Sequence, residues 1–227
     1  MQIKHSLPTE DNPMEKDICY IIGAGENYGL DFAPKSNDFV IAADAGIRYL
    51  EQCGIAADLV VGDFDSLDGT PTHPNTTTLS AEKDDTDMLA AVREGIKAGY
   101  SVFHIYCGIG GRIDHTIANI QVLAYLSQNN MQGFLFGKDS VITAITNRKL
   151  SFDPIPSGYV SVFSYTEKSE GVYLHGLKYK LENATLTNTF PLGVSNEFVG
   201  EESSISVDSG TLLIVFPKES MEKIRHE

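Results

Sequence analysis

The chain has 227 residues, enough for one large domain or two ordinary ones, and 42% of them are hydrophobic, ample for a core. A formal net charge of −14 argues against a nucleic-acid partner, because a phosphate backbone is bound by clustered Lys and Arg. No apolar stretch approaches the roughly 20 residues of a membrane span, and the polar start MQIKHSLPTEDNP lacks a signal-peptide core, so no membrane partner is expected.

Residues 1–16 read as a flexible tail. Short, continuous apolar runs follow at 18–22, 39–43, 59–61 and 102–106, β-branched or aromatic as suits strands covered on both faces of a parallel sheet. Between them lie helix patterns at 45–53, 86–98 and 114–128. Met88, Leu89, Val92 and Ile96 recur at helical spacing before a stop at Gly99, and Ile117, Ile120, Leu123 and Ala124 repeat that spacing in the third helix. Asp85 or Thr86, and Asp114, stand where N-caps belong. From about residue 131 the texture changes to short strand-like runs separated by Gly, Pro, Asn and Ser, with no helix pattern before 218–226. The expected fold is therefore α/β: a Rossmann-like parallel-sheet domain over 17–148, then an all-β sandwich over 149–227. Cys19 and Cys107 lie inside apolar runs, Cys53 does not, and no CxxC spacing joins them. They read as structural thiols of a reducing cytoplasm.

Three acidic clusters each follow a short apolar run: Asp63-Phe64-Asp65-Ser66, Asp84-Asp85-Thr86-Asp87 and Gly110-Gly111-Arg112-Ile113-Asp114-His115. Residues just past a buried strand lie at the sheet edge where open α/β folds bind ligands. Carboxylates on several such loops suit a hard cation, and Mg²⁺ usually arrives with phosphates. In an extended segment Asp63 and Asp65 would project to one side and reach one cation; the plainer reading is a solvated turn. Asp84, Asp85 and Asp87 together exceed what one helix dipole needs. Gly108-Ile109-Gly110-Gly111-Arg112 offers backbone amides to an anion and a planar cation to phosphate oxygens. His115 reads either as a capping or packing residue or as an acid–base group beside phosphate. Gly23-Ala24-Gly25-Glu26-Asn27-Tyr28-Gly29, with Asp44 as a ribose-binding acid, raises a dinucleotide fold instead. That fold needs a full helix after the glycines, and residues 30–37, broken by Pro34, are too short for one. The residues point to a Mg²⁺-nucleotide phosphotransferase.

Ala43-Asp44-Ala45-Gly46, Gly62-Asp63-Phe64-Asp65-Ser66, Glu82-Lys83-Asp84-Asp85-Thr86-Asp87 and Gly111-Arg112-Ile113-Asp114-His115 occur in that order. With Gly176-Leu177-Lys178-Tyr179 and Ser195-Asn196-Glu197-Phe198 downstream, the chain over residues 18–217 resembles the thiamin pyrophosphokinase family. The resemblance implies an ATP-binding α/β domain, a β-sandwich, and a homodimer with thiamin bound where the subunits meet. It implies transfer of pyrophosphate from ATP to thiamin, giving thiamin diphosphate and AMP, with Mg²⁺. By the same resemblance Asp44, Asp63, Asp65 and Asp87 form the acidic centre, and Asp63, Asp65 and Asp87 hold metal. Lys83, Asp84, Thr86, Arg112, Asp114 and His115 attend the phosphates, Arg112 also acting in catalysis. Tyr179, Ser195 and Asn196 hold thiamin, Tyr179 standing where some members carry Trp. A phosphotransferase for another small alcohol would be expected to lack the 176–179 and 195–196 segments, and a nucleotide-sensing module to lack the metal carboxylates; this chain has both.

Overall fold

The computed structural model describes residues 17–64, 73–79 and 85–225. Six strands come first: β1 (Ile18–Ile22), β2 (Phe39–Ala43), β3 (Leu59–Gly62), β4 (Thr76–Thr78), β5 (Val102–Tyr106) and β6 (Gln132–Phe136). Among them run α1 (Gly46–Cys53), α2 (Asp87–Lys97) and α3 (Ile113–Gln128). Nine strands complete the chain: β7 (Ser140–Thr146), β8 (Lys149–Phe152), β9 (Tyr159–Ser164), β10 (Lys168–His175), β11 (Leu181–Thr187), β12 (Gly193–Glu197), β13 (Ser203–Ser206), β14 (Thr211–Pro217) and β15 (Ile224–Arg225).

The strands form a ten-stranded sheet ordered β12-β9-β14-β7-β6-β5-β1-β2-β3-β4 and a five-stranded sheet ordered β11-β10-β13-β8-β15. β1 to β6 pair in parallel, and from β7 onward the large sheet continues antiparallel. One sheet thus runs unbroken through the change in texture near residue 131. The second sheet is antiparallel and packs on the large sheet's antiparallel half, where Phe152 of β8 meets Phe216 of β14 edge to face at 5.3 Å.

Side-chain alternation along β1 shows how the two layers arise. Cys19 and Ile21 join Phe103, Ile105, Val92, Leu123 and Leu126, so one face is sealed by α2 and α3. Tyr20 and Ile22 join Val40, Ala42, Leu50, Phe134 and Phe136 on the other, where α1 packs; that core continues into the second sheet through Phe152 and Val172.

Helix ends follow local chemistry. Thr86 caps α2, its Oγ1 accepting from Leu89 N at 3.2 Å. Gly54 ends α1 in the left-handed conformation at φ 68. Asp114, expected as a cap, is instead in the first turn of α3, whose N-cap is Arg112. The helix expected over 218–226 is a short 3₁₀ segment, Lys218–Lys223, because Ile224 and Arg225 are drawn into pairing with β8. Residues 23–38 contain no helix, which removes the dinucleotide alternative. Among the described residues no helix is long and apolar enough to cross a membrane. Cys19 and Cys107 are buried, Cys53 is exposed, and all three are free thiols.

Candidate active site

The carboxyl ends of β1, β2, β3 and β5 open on one cleft of about 710 Å³, a size that suits a nucleotide-scale ligand. Asp44 follows β2, Asp63 follows β3 and Asp87 begins α2; all three line the cleft. The chain turns sharply after β2, β3 and β5, where non-glycine residues adopt positive φ: Asp44 at 51°, Phe64 at 60° and Cys107 at 54°. Such backbone costs on the order of 1 kcal/mol or more per residue and persists only where the surroundings enforce it. Asp44 is held by its own N–H, which donates to Val61 O at 2.8 Å. Phe64 is held by burial of its ring in the core. The extended geometry expected for residues 63–65 is therefore broken at Phe64.

Gly23 and Gly25 let the loop after β1 lie against the loop after β5. Gly23 N donates to Tyr106 O at 2.9 Å and Gly25 N to Cys107 O at 2.8 Å. A Cβ on either glycine would sit 2.7 or 2.6 Å from the Cys107 carbonyl oxygen, so no larger residue fits. Tyr49 of α1 donates its hydroxyl to Gly25 O at 3.0 Å from the far wall. The glycine loop after β5 is fixed by buried Asn119, whose Nδ2 donates to Gly108 O at 2.7 Å.

The amino ends of α2 and α3 both face the cleft, so their unpaired N–H groups and partial positive charge favour an anion there. Arg112 reaches Asp114 through Nε at 3.2 Å and through Nη2 at 2.6 Å. That pair holds the guanidinium above, and the Asp114 carboxyl below, their usual ranges. Glu26 accepts from Tyr28 Oη at 2.6 Å and from Gly111 N at 3.1 Å, and these two bonds keep its carboxyl below the ordinary value.

Of the expected residues, Asp44, Asp63, Thr86, Asp87, Arg112 and His115 are brought together on the cleft wall. His115 is exposed there, so a packing role does not fit it. Asp114 is exposed and turned to Arg112, and Asp85 pairs with Arg93 outside the cleft. Asp65, Lys83 and Asp84 lie outside the described residues. Glu26, Tyr49 and Asn119 were not expected from sequence. Asn119 had a readable signal, since Arg112, His115 and Asn119 fall on one helical face at i, i+3 and i+7.

Among the described residues no three His, Cys, Asp or Glu side chains converge closely enough to hold a metal alone. Mg²⁺ seldom uses such a cage: it takes one or two carboxylates and completes its shell with water and phosphate. Oxygen donors from Asp44, Asp63 and Asp87 around a roomy cleft fit that habit.

The remaining expected residues stand elsewhere. Asn196 is buried; its Oδ1 accepts from Tyr179 N and from Glu197 N, each at 2.9 Å, and its Nδ2 donates to Tyr179 O at 2.7 Å. It clamps the backbone that presents Tyr179, a residue that is 59% exposed. Ser195 has φ 57 and its N–H donates to Ser161 Oγ at 3.0 Å. β12 carries Ser195 and Asn196 at one end of the large sheet, six strand spacings from β1 and eight from β3. At about 4.8 Å per spacing, roughly 30 Å or more of sheet separates them from the carboxylates after β2 and β3 of their own chain.

Comparison with known proteins agrees with this layout. The profile described as "Thiamin pyrophosphokinase, catalytic domain" matches residues 33–135, and that of "Thiamin pyrophosphokinase, vitamin B1 binding domain" matches 147–212. Together they span well over half of the chain. The chain belongs to the thiamin pyrophosphokinase family. A thiamine pyrophosphokinase of Bacillus subtilis (strain 168) is 26% identical over 209 residues, covering 88% of this chain and 98% of the relative. Among solved folds of this family, thiamine pyrophosphokinase from Bacillus subtilis superposes with a TM-score of 0.79 at 23% identity, covering 88% of this chain and 99% of that one. Thiamin pyrophosphokinase from Geobacillus thermodenitrificans gives 0.77 at 24% identity, with 90% and 99% covered. The fold extends to the Candida albicans enzyme, with a TM-score of 0.73 at 15% identity and 89% of each chain covered.

Proposed function

We propose that this chain transfers the pyrophosphoryl group of ATP to the hydroxyethyl oxygen of thiamin, releasing AMP. In this reading residues 17–148 hold ATP and residues 149–227 hold thiamin. What carries it is the convergence of Asp44, Asp63, Asp87, two helix amino ends and a glycine loop on one cleft, in a chain of this family.

The thiamin hydroxyl oxygen attacks the β-phosphorus, the bond to the α–β bridging oxygen breaks, and AMP leaves with that electron pair. The hydroxyl proton departs as the new P–O bond forms, to solvent or to a carboxylate of the acidic set; a loose transition state asks little of a base. The chain's own task is to position the reactants and neutralise charge on the phosphate oxygens. Backbone amides at the α2 and α3 amino ends meet those oxygens, and Arg112, released from Asp114, supplies a forked cation. Asp63 and Asp87, with Asp65, would hold Mg²⁺, which when bound supplies positive charge that carboxylates cannot. The exposed Tyr179 ring offers a face to the thiazolium cation.

β12 stands seven and eight strand spacings from β2 and β3 of its own chain, so the reading places thiamin between two copies in a homodimer. Tyr159, Tyr179, Phe190, Leu192, Val194 and Val199, all exposed and gathered near β12, supply an apolar surface for that contact. The free thiols fit a reducing cytoplasm. Incubation with ATP, Mg²⁺ and thiamin should give AMP and thiamin diphosphate in equal amounts. ADP with thiamin monophosphate, or no turnover, would overturn the proposal.

A further inference from the structure

Both anion-binding groups of the glycine loop are engaged by carboxylates of the chain itself: Gly111 N–H by Glu26 and the Arg112 guanidinium by Asp114. The Glu26 contact is built in from several sides. Tyr28 Oη donates to Oε2 at 2.6 Å while Gly111 N donates to Oε1 at 3.1 Å. The Glu26 backbone is pinned as well, its N–H donating to Ile109 O at 3.2 Å. Gly110, at φ 90, is cut to fit: a Cβ there would lie 2.8 Å from the Glu26 carboxyl carbon and 2.9 Å from Tyr28 Oη. A carboxylate oxygen on a glycine-loop amide that borders the cleft occupies the place a phosphate oxygen would take.

We propose that Glu26 is a resident competitor in the nucleotide site, holding the Gly111 amide until a phosphate displaces it. The inference rests on the ATP reading of the cleft. Two anions do not share one donor, so nucleotide entry requires Glu26 to swing away, and every anionic ligand meets the same opposition. A monophosphate has few other contacts to set against it. A triphosphate also reaches Arg112 and the α2 amino end, so it stays bound despite a latch that weakens both ligands by the same factor, and the product departs.

The test is calorimetric titration of ATP, AMP and inorganic tripolyphosphate into the full chain, with and without Mg²⁺, for wild type, Glu26→Gln and Tyr28→Phe. Glu26→Gln removes the charge and keeps the shape; AMP and ATP should each bind about two- to fivefold tighter, the range of an exposed charge contact. Tyr28→Phe, which only loosens the carboxylate, should shift binding the same way by a smaller factor, and decides the matter if Glu26→Gln does not fold. Unchanged or weaker AMP binding in folded variants, with ATP still bound by wild type, would overturn the role of Glu26 alone. Failure of wild type to bind ATP would overturn the ATP reading and this inference with it.

Discussion

Asp63 leaves β3 beside a core anchor: Phe64, the next residue, is locked into the core at positive φ. Asp63→Asn therefore removes a charge while leaving the packing that shapes the turn. Turnover at saturating Mg²⁺ should fall by about 100-fold or more, the scale of losing one electrostatic clamp, with little change in thermal midpoint. Near-normal turnover would remove Asp63 from the proposed metal centre. Arg112→Lys keeps the charge and loses the fork, so kcat/KM for ATP should fall by about tenfold or more; wild-type kinetics would make Arg112 a bystander. Cys107 lines the cleft yet should be inert. Burial, with a smaller effect of nearby Cys53, pushes its thiol up to about 12, so only about one molecule in ten thousand carries the thiolate at pH 8. Iodoacetamide at pH 8 should label exposed Cys53 well before Cys107, read by peptide mass spectrometry; equal labelling would contradict this.

At the level of elements, the entry to α1 is the tightest fit. A Cβ on Gly46 would lie 2.0 Å from the Ile22 carbonyl oxygen, backbone that cannot yield. Gly46→Ala should destabilise by several kcal/mol, whereas Gly54→Ala, at φ 68 with open space around it, should cost about 1 kcal/mol. Thermal melts of the two variants compare them directly, and equal losses would refute the close approach. The same elements show what the sequence discloses. β1, β2 and β5 match their apolar runs residue for residue, because a strand buried on both faces leaves an unbroken apolar run. β4, three threonines at the sheet edge, carries no such pattern. The continuation of the parallel sheet into β7, β14, β9 and β12 was equally hidden, since pairing between distant strands leaves no local trace. In the site, Asp63 is legible from its place past an apolar run, whereas Asp44 after β2 enters the acidic set only through the family resemblance. Glu26 reads in the sequence only as part of a glycine-rich run, because its meaning depends on Gly111, 85 residues away.

Across the whole molecule, strand order divides the chemistry. The acidic cleft opens at β1 to β3 and β5, while Ser195, Asn196 and Tyr179 gather at and beside the β12 edge of the same large sheet. Sheet spacing puts the carboxylates after β2 and β3 roughly 30 Å or more from β12 along the sheet, and on the proposed reading a complete thiamin site takes the cleft of one copy and the β12 end of another. The direct measurement is activity after co-refolding two inactive variants, Asp63→Asn and Asn196→Ala, with heterodimers confirmed by native mass spectrometry. In a mixed dimer one composite site carries both lesions and the other carries neither. Half of a statistical mixture is heterodimer with one good site of two, so activity should recover to about a quarter of wild type. No recovery in confirmed heterodimers would mean that each chain completes its own site, and would contradict the shared one.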